Sequence, residues 1–174
     1  RDRDHIYAVV LASVVNNDGS RRVGYTAPGE FGQTAVIGEA ISLSGLSARE
    51  IGLVESHGTG TALGDPIEFA ALGKAFGHFT QDRGFCALGA VKANIGHADA
   101  ASGIASFIKA VMAVHTGHIP PHPLFEEANP ALDLDSSPFY INTALADWKD
   151  AGRPRAAGIS SFGIGGSNAH AVIM

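Results

Sequence analysis

Two histidines, His57 and His97, each follow an apolar run and precede a helical pattern by a few residues. The positive end of a helix dipole disfavours imidazolium, so we expect both rings to be neutral at pH 7. A neutral imidazole donates one hydrogen bond, which is suited to stabilising a developing oxyanion or enolate. For one histidine alone, a hydrogen-bonded core position is the simpler interpretation. Two histidines in matched settings favour a shared catalytic role.

His57 opens a glycine loop, H-G-T-G-T-A-L-G-D, that also carries the hydroxyls of Thr59 and Thr61. The apolar run at 51–54 predicts a strand that delivers the loop. After the loop, D-P-I-E at 65–68 predicts a helix start, with Asp65 as the cap and Glu68 completing a capping box. Open α/β sheets bind their ligands at such loops, beyond the carboxyl ends of their strands.

Lys92 precedes His97 by five residues at the end of a predicted apolar strand, C-A-L-G-A-V-K. An unpaired ammonium is costly there, so we expect a carboxylate partner that would hold the histidine loops in place. A lysine that extends from a strand end to solvent is the simpler alternative. The candidate partners are Glu55, Asp65, Glu68 and Asp99.

A third candidate element is the glycine turn F-G-I-G-G-S-N at 162–168. Its backbone N–H groups are free of bulky side chains, as an oxyanion hole requires, although many hairpins have glycine turns for shape alone. Cys86 lies at the start of an apolar strand and is interpreted as a small buried side chain. The remaining histidines are expected to be ordinary (His5, His170) or solvated (His78, His115, His118, His122).

Two other chemistries have less support in the spacing. The loop at 58–64 resembles a dinucleotide fingerprint but has one residue too many before its third glycine. A metal site formed by His57, His97 and Asp65 lacks any H-x-x-x-H, H-x-H or C-x-x-C spacing. We therefore expect neither a nicotinamide cofactor nor a metal.

The composition indicates one globular α/β unit of 174 residues, with 45% hydrophobic and 17% charged residues. A net charge of −5 without a basic cluster argues against nucleic acid or an anionic membrane as partner. One cysteine and no long apolar span favour a soluble protein of the reducing cytoplasm. The ends resemble no signal peptide, and we expect both to be cut from a longer chain.

Strand, loop and helix follow one another three times. Residues 6–15 predict a central strand covered on both faces, ended by N-N-D-G. Helical spacing follows at 37–44 and again at 69–76, where Phe69, Leu72 and Phe76 share a face. The third helix carries one charge, Lys109, and is expected to be largely buried through Ile104, Phe107, Ile108, Val111 and Met112.

The C-terminal third is different in character. Five prolines within 120–138 preclude a long helix, so we expect an ordered loop that packs down through apolar residues such as Leu124 and Phe125. Short strands are predicted at 139–142 and 156–161, and a last strand at 169–174 forms a hairpin through the glycine turn. These elements predict a layered α/β domain with a mixed sheet.

The combination of motifs resembles the C-terminal half of a β-ketoacyl synthase, most closely the ketosynthase domains of modular polyketide synthases. The matching segments are H-G-T-G-T-A-L-G-D-P-I-E at 57–68, V-K-A-N-I-G-H at 91–97 and S-S-F-G-I-G-G-S-N-A-H at 160–170. The resemblance covers nearly all of the chain. It implies the thiolase-like fold, with residues 1–174 forming its second half, and a decarboxylative Claisen condensation in polyketide or fatty-acid synthesis.

The resemblance also implies roles for individual residues. His57 and His97 would assist decarboxylation and stabilise the enolate, and Lys92 would hold the His97 loop. Thr59 and Thr61 would bind the phosphopantetheine arm of an acyl carrier protein, with no cofactor bound by the chain itself. The Ile164 N–H, between Gly163 and Gly165, would supply half of the oxyanion hole, and the Ile164 side chain would gate the site. Asp65 and Glu68 would support this polar network.

The family nucleophile is a cysteine far upstream of the first histidine, and only 56 residues precede His57 here. Cys86 lies between the histidine motifs and does not correspond to it. We therefore expect the chain alone to be inactive and to need the missing N-terminal half. The resemblance implies that the family forms homodimers through that half, most of which is absent here. The alternative is a non-catalytic module that binds a carrier protein or another partner of a synthase.

Overall fold

The computed structural model describes residues 3–21, 24, 28–123, 125–149 and 152–174. Its strands are β1 (Val10–Asn17), β2 (Ile51–Glu55), β3 (Cys86–Gly89), β4 (His118–Ile119), β5 (Phe139–Tyr140), β6 (Ala146–Asp147), β7 (Ala156–Phe162) and β8 (Ser167–Ile173). Six of them form one sheet in the order β1-β8-β7-β2-β3-β5, and β4 pairs with β6 in a small ribbon.

The large sheet is mixed, as the sequence predicts. Strands β7, β2, β3 and β5 are parallel neighbours, whereas β8 runs antiparallel to both β7 and β1. The β7–β8 hairpin through the glycine turn is confirmed. Because β2, β3 and β7 run in one direction, their carboxyl ends share one edge of the sheet. The two histidine loops and the glycine turn all leave from this edge.

The helices of the described residues are α1 (Glu30–Ser44), α2 (Gly64–Gly77), the short α3 (Lys92–Ile95) and α4 (Ser102–Thr116). Helices α1 and α2 pack against one another on one face, and α4 packs on β7 and β2 from the other. Val54 points into the first core and Leu53 into the second, as alternation along a strand requires. The predicted layered α/β architecture is confirmed.

Strand β1 is not the central strand that its apolar run predicts. It is an edge strand that pairs with β8 alone among the described strands, and only one of its faces packs on α1. Ala12 and Val14 are 8% exposed, whereas Val15 is 70% exposed. The continuous apolar sequence therefore reflects a second face that the described residues do not cover.

Helix α4 buries only part of its expected core face. Of the five large residues that predict this face, Ile104 and Ile108 are each 56% exposed and Met112 is 44% exposed, whereas Phe107 and Val111 are partly buried against the core. The buried face is instead lined by small residues, Ser106 and Ala110. Small side chains allow the helix to approach β7 and β2 closely, which hydrophobic periodicity alone does not reveal.

Several boundaries differ from those predicted. Strand β3 ends at Gly89, so Lys92 opens the short helix α3 and is not a strand-end lysine. The strand predicted at 139–142 spans only Phe139–Tyr140. Leu124, expected to pack down, lies outside the described residues. Within the described part of the chain, no helix is both long and apolar enough to traverse a bilayer.

Candidate active site

The structure brings His57, His97 and the glycine turn together at the carboxyl edge of the sheet. The His57 and His97 rings meet edge to face with centroids 5.7 Å apart. The His57 ring also lies 5.7 Å from the ring of Phe162, the last residue of β7 before the turn. Residues more than 100 positions apart in sequence therefore form one site, because three parallel strands end beside one another.

The orientation of His57 is set by the backbone of β7. The Phe162 N–H donates to His57 Nδ1 at 3.3 Å. A backbone N–H can only donate, so Nδ1 must accept and the ring proton resides on Nε2. Burial, the Lys92 charge and His97 lower the pKa of His57 from 6.5 to about 4. The ring is therefore neutral at pH 7, as expected, chiefly because of burial and not because of a helix dipole.

His97 is held in the same way by the segment that leads into α4. Its Nδ1 accepts the Asp99 N–H at 3.0 Å and lies 2.9 Å from Ser102 Oγ. Nδ1 is again the acceptor, so the Ser102 hydroxyl donates to it and Nε2 carries the proton. Ser102 is 2% exposed, which fixes this contact. The two rings thus present the same neutral tautomer, with two Nε2–H donors for a developing negative charge.

Lys92 was expected to hold the His97 loop, but its side chain contacts the His57 loop. Its ammonium donates to the His57 carbonyl and lies 3.4 Å from His57 Nδ1. Among the described ion pairs, none joins Lys92 to a carboxylate. Burial lowers the pKa of Lys92, and the charges of Glu68 and Glu55 oppose this. Lys92 therefore ties α3, and with it the start of the His97 loop, to the backbone of His57.

Glu68 supports the His57 loop from α2. Its carboxylate accepts the His57 N–H at 2.7 Å and the Gly58 N–H at 2.9 Å. It is 5% exposed, and burial raises its pKa to about 7 against the effect of these two donors. The predicted supporting role fits these contacts, but the predicted capping box is wrong because Glu68 bonds to the loop and not to the helix start.

Asp65 is not the helix cap either. Helix α2 begins at Gly64 without a capping bond from the side chain of Leu63, and Asp65 accepts the Gly60 N–H at 3.0 Å. Thr61 Oγ1 accepts the Gly64 N–H at 3.0 Å and lies 3.2 Å from Thr59 Oγ1. These contacts fold the loop back on the helix start, which fixes the position of both threonines.

The glycine turn is anchored at both sides. Gly163 N–H donates to the Ser167 carbonyl at 2.7 Å, and Asp18 N–H donates to the Gly166 carbonyl at 2.9 Å. Gly165 has a φ of 105°, a conformation that favours glycine. Ile164 is 81% exposed at the tip of the turn. Within the described part of the chain no hydrogen bond to its N–H is found, as an oxyanion donor requires.

A cavity of about 390 Å³ lies beside these residues. Its lining includes the polar side chains of Thr59, Lys92 and His97 together with residues of the proline-rich loop. His122 lines the cavity as well and is only partly exposed, so the expectation that it is solvated is wrong. The apolar lining residues include Phe69, Leu72, Leu88, Phe125, Leu132 and Leu134.

Other chemistries find little support in this arrangement. In the part of the chain that the structure describes, no group of three or more metal-ligating side chains is found. Cys86 is fully buried, and burial raises the pKa of its thiol. It therefore has neither the exposure nor the thiolate that a nucleophile needs.

The chain matches the model of a known protein family. Residues 7–126, more than half of the chain, match the model of the C-terminal domain of β-ketoacyl synthases. The chain belongs to the β-ketoacyl synthase family. This ketosynthase segment also resembles one of the phenolphthiocerol/phthiocerol polyketide synthase proteins of Mycobacterium tuberculosis, with 50% identity over 173 residues. The match covers 99% of this chain but 11% of that protein.

Two further relatives agree. Polyketide synthase PksM of Bacillus subtilis is 46% identical over 177 residues, which cover 99% of the ketosynthase segment and 4% of PksM. The crystal structure of ketosynthase twelve from the bacillaene polyketide synthase of Bacillus amyloliquefaciens superposes with a TM-score of 0.96 at 40% identity. That match covers 99% of this segment and 31% of the solved chain, and it confirms the thiolase-like fold.

The sequence reasoning missed three residues that shape the site. The Phe162 N–H fixes the tautomer of His57, and the Ser102 hydroxyl donates to His97 Nδ1. Lys109 forms a buried ion pair with Glu55, 2.6 Å between Nζ and Oε1. Only Lys109 gave a sequence signal, as the single charge on an otherwise apolar helix. The others act through a backbone N–H or a serine hydroxyl, which no pattern distinguishes.

The lowered pKa of His57 predicts how its charge follows pH. We expect NMR of the labelled chain to show a neutral His57 ring down to about pH 5, with titration near 4. In the urea-unfolded chain the same ring should titrate near its ordinary value of about 6.5. The stability that this ring contributes is therefore complete above pH 6.5 and is lost as the pH falls towards 4. A folded-state midpoint at or above 6.5 would contradict the buried arrangement.

Proposed function

We propose that residues 1–174 act as one unit, the second half of a ketosynthase that extends an acyl chain by decarboxylative condensation. The carrying observation is the convergence of two neutral imidazoles, 5.7 Å apart, whose Nδ1 atoms both accept a backbone N–H. Each ring keeps one N–H donor for an oxygen that gains negative charge. Such donors stabilise an enolate without a change in their own protonation.

In the proposed reaction, a malonyl-type group arrives as a thioester on the phosphopantetheine of an acyl carrier protein. Cleavage of the bond between its carboxylate carbon and its α-carbon releases CO₂. The electron pair of that bond forms an enolate, whose oxygen accepts hydrogen bonds from His57 and His97. The enolate carbon then attacks a second acyl thioester on a cysteine, and the cysteine thiolate leaves. The Ile164 N–H, which lies between Gly163 and Gly165, donates a hydrogen bond to the oxyanion that forms in this second step.

The threonine loop would hold the pantetheine arm. Thr59 lines the cavity beside His97, and the exposed Thr61 lies 3.2 Å from it. Two fixed hydroxyls next to a cavity of about 390 Å³ suit an arm that is amide-rich along its length and carries a thioester at its end. The chain would bind no cofactor of its own. Its partners would be the carrier protein, an N-terminal ketosynthase half and a second copy of the assembled enzyme.

The nucleophilic cysteine would come from polypeptide outside the 174 residues, because Cys86 is fully buried. We expect that the chain alone, given an acyl donor and malonyl carrier protein, forms no product and leaves Cys86 unacylated. With an N-terminal ketosynthase half that carries the cysteine, acylation of that cysteine and a β-ketoacyl product are expected. Intact-mass analysis of both polypeptides and of the carrier protein measures these outcomes.

An acyl thioester on Cys86 that Cys86→Ala abolishes would overturn the assignment of the nucleophile. The alternative, a non-catalytic binding module, predicts that the carrier protein binds while CO₂ release stays at background even with both halves present. Titration of the isolated chain with holo and apo carrier protein tests this alternative, since an equal absence of binding by both forms removes it.

A further inference from the structure

We propose that Glu55 and Lys109 are a pair of positioning residues that hold the Lys92 turn against the His57 loop. The inference rests on the proposed condensation and assigns a role to two residues outside the histidine motifs. Glu55 is the last residue of β2, two positions before His57, and Lys109 lies in the middle of α4. Neither residue contacts the histidine rings, so both act through the backbone.

The Glu55 carboxylate joins three elements. One oxygen accepts the Val91 N–H at 3.0 Å, directly before Lys92, and the other lies 2.6 Å from Lys109 Nζ. The side chain of Glu55 is 0% exposed and that of Lys109 16%. Burial raises the pKa of Glu55, and the Lys109 ammonium opposes that rise. The pair therefore connects the end of β2, the turn before α3 and helix α4.

The chain leaves space for this pair at Gly89, the last residue of β3. A β-carbon at Gly89 would collide with the Glu55 carboxylate and come within 3.3 Å of Lys109 Nζ. The Gly89 carbonyl meanwhile accepts both the N–H and the hydroxyl of Ser56, at 2.8 and 2.9 Å. Residues on both sides of the pair are thus fixed, with Ser56 adjacent to His57.

A buried ion pair such as Glu55 and Lys109 usually adds little to the free energy of unfolding. Desolvation of two charges cancels much of their attraction, and apolar replacements of similar volume are often as stable. The pair instead lies between the backbone of Val91 and that of His57. It therefore sets the position at which the Lys92 ammonium contacts the His57 carbonyl. A shift there moves the His57 ring relative to His97.

The experiment compares Lys109→Met with Lys109→Arg in the enzyme assembled with its N-terminal half. We expect Lys109→Met to lower kcat for condensation about tenfold, with KM for malonyl carrier protein changed by less than about twofold. Lys109→Arg keeps the cation and should restore kcat to within about threefold of the parent enzyme. Rates are divided by the folded fraction from thermal unfolding. If Lys109→Met does not fold, Glu55→Gln/Lys109→Met, which carries no charge at this pair, takes its place and should show the same lowered kcat.

Val114→Ala is the matched control, because Val114 is buried on the same helix, five residues beyond Lys109. It should reduce stability without lowering kcat of the folded enzyme. An unchanged kcat in the folded Lys109→Met or double variant, or no restoration by arginine, overturns the positioning role. His57→Ala separates this failure from that of the proposed function: if His57→Ala remains fully active, the proposed condensation itself is wrong.

Discussion

Replacement of His97 by alanine in the assembled enzyme will slow decarboxylation of malonyl carrier protein by about 10²–10³-fold, the usual loss for one oxyanion donor. The reason is the fixed tautomer. Nδ1 of His97 accepts from Asp99 and Ser102, so the ring has one donor left, Nε2–H, for the enolate oxygen. Release of ¹⁴CO₂ from carboxyl-labelled malonyl carrier protein measures the step separately from product formation.

His78→Ala serves as the control for this substitution, because His78 caps the far end of α2 and is exposed. Its rate should equal that of the unaltered enzyme. Ser102→Ala should fall between the two, since His97 would keep the Asp99 contact and lose the hydroxyl. A His97→Ala enzyme that decarboxylates at the full rate would show that the imidazole pair does not stabilise the enolate.

Replacement of Glu68 by alanine will lower the free energy of unfolding of the chain by about 3 kcal/mol. The substitution leaves the N–H groups of His57 and Gly58 without their acceptor, and a buried unpaired polar group costs about 1–3 kcal/mol. Urea unfolding at pH 6 measures the loss. Burial raises the pKa of Glu68 to about 7, so ionisation of this carboxyl at higher pH opposes folding and makes the loss smaller.

The comparison for this variant is Glu30→Ala. Glu30 forms an ion pair with Lys74 on the surface, where such pairs contribute no more than about 1 kcal/mol. Glu68→Ala should also lower condensation in the assembled enzyme, because the His57 loop loses its support. A stability change for Glu68→Ala as small as that for Glu30→Ala would contradict the two backbone contacts.

The sequence predicted the fold class well because its signals are local. Three strand, loop and helix units, the terminal hairpin and the mixed sheet follow from apolar periodicity and glycine positions, and all are present. The end of α1 at Gly45, with a φ of 73°, follows from the same reasoning. Since parallel strands end at one edge, the meeting of His57 with His97 could also be expected.

The errors arose where a neighbour outside the pattern decided the outcome. An apolar run predicts burial, yet β1 lies at the sheet edge and Ile108 of α4 is 56% exposed. Asp65 has the residue type and spacing of a cap, yet its carboxylate accepts a loop N–H and does not cap the helix start. Lys92 needed a partner, and a backbone carbonyl took the place of the expected carboxylate.

The sequence by itself determined which chemical groups are available: two imidazoles, a lysine, two hydroxyls and a glycine turn, each in a segment that follows a strand. The tertiary structure decided what those groups do, because the position of a proton on a ring depends on the atom opposite it. Phe162 N–H faces one ring and Asp99 N–H the other, so both histidines became Nε2–H donors. The Phe162 contact spans 105 positions and the Asp99 contact spans two, and neither leaves any periodicity in the chain.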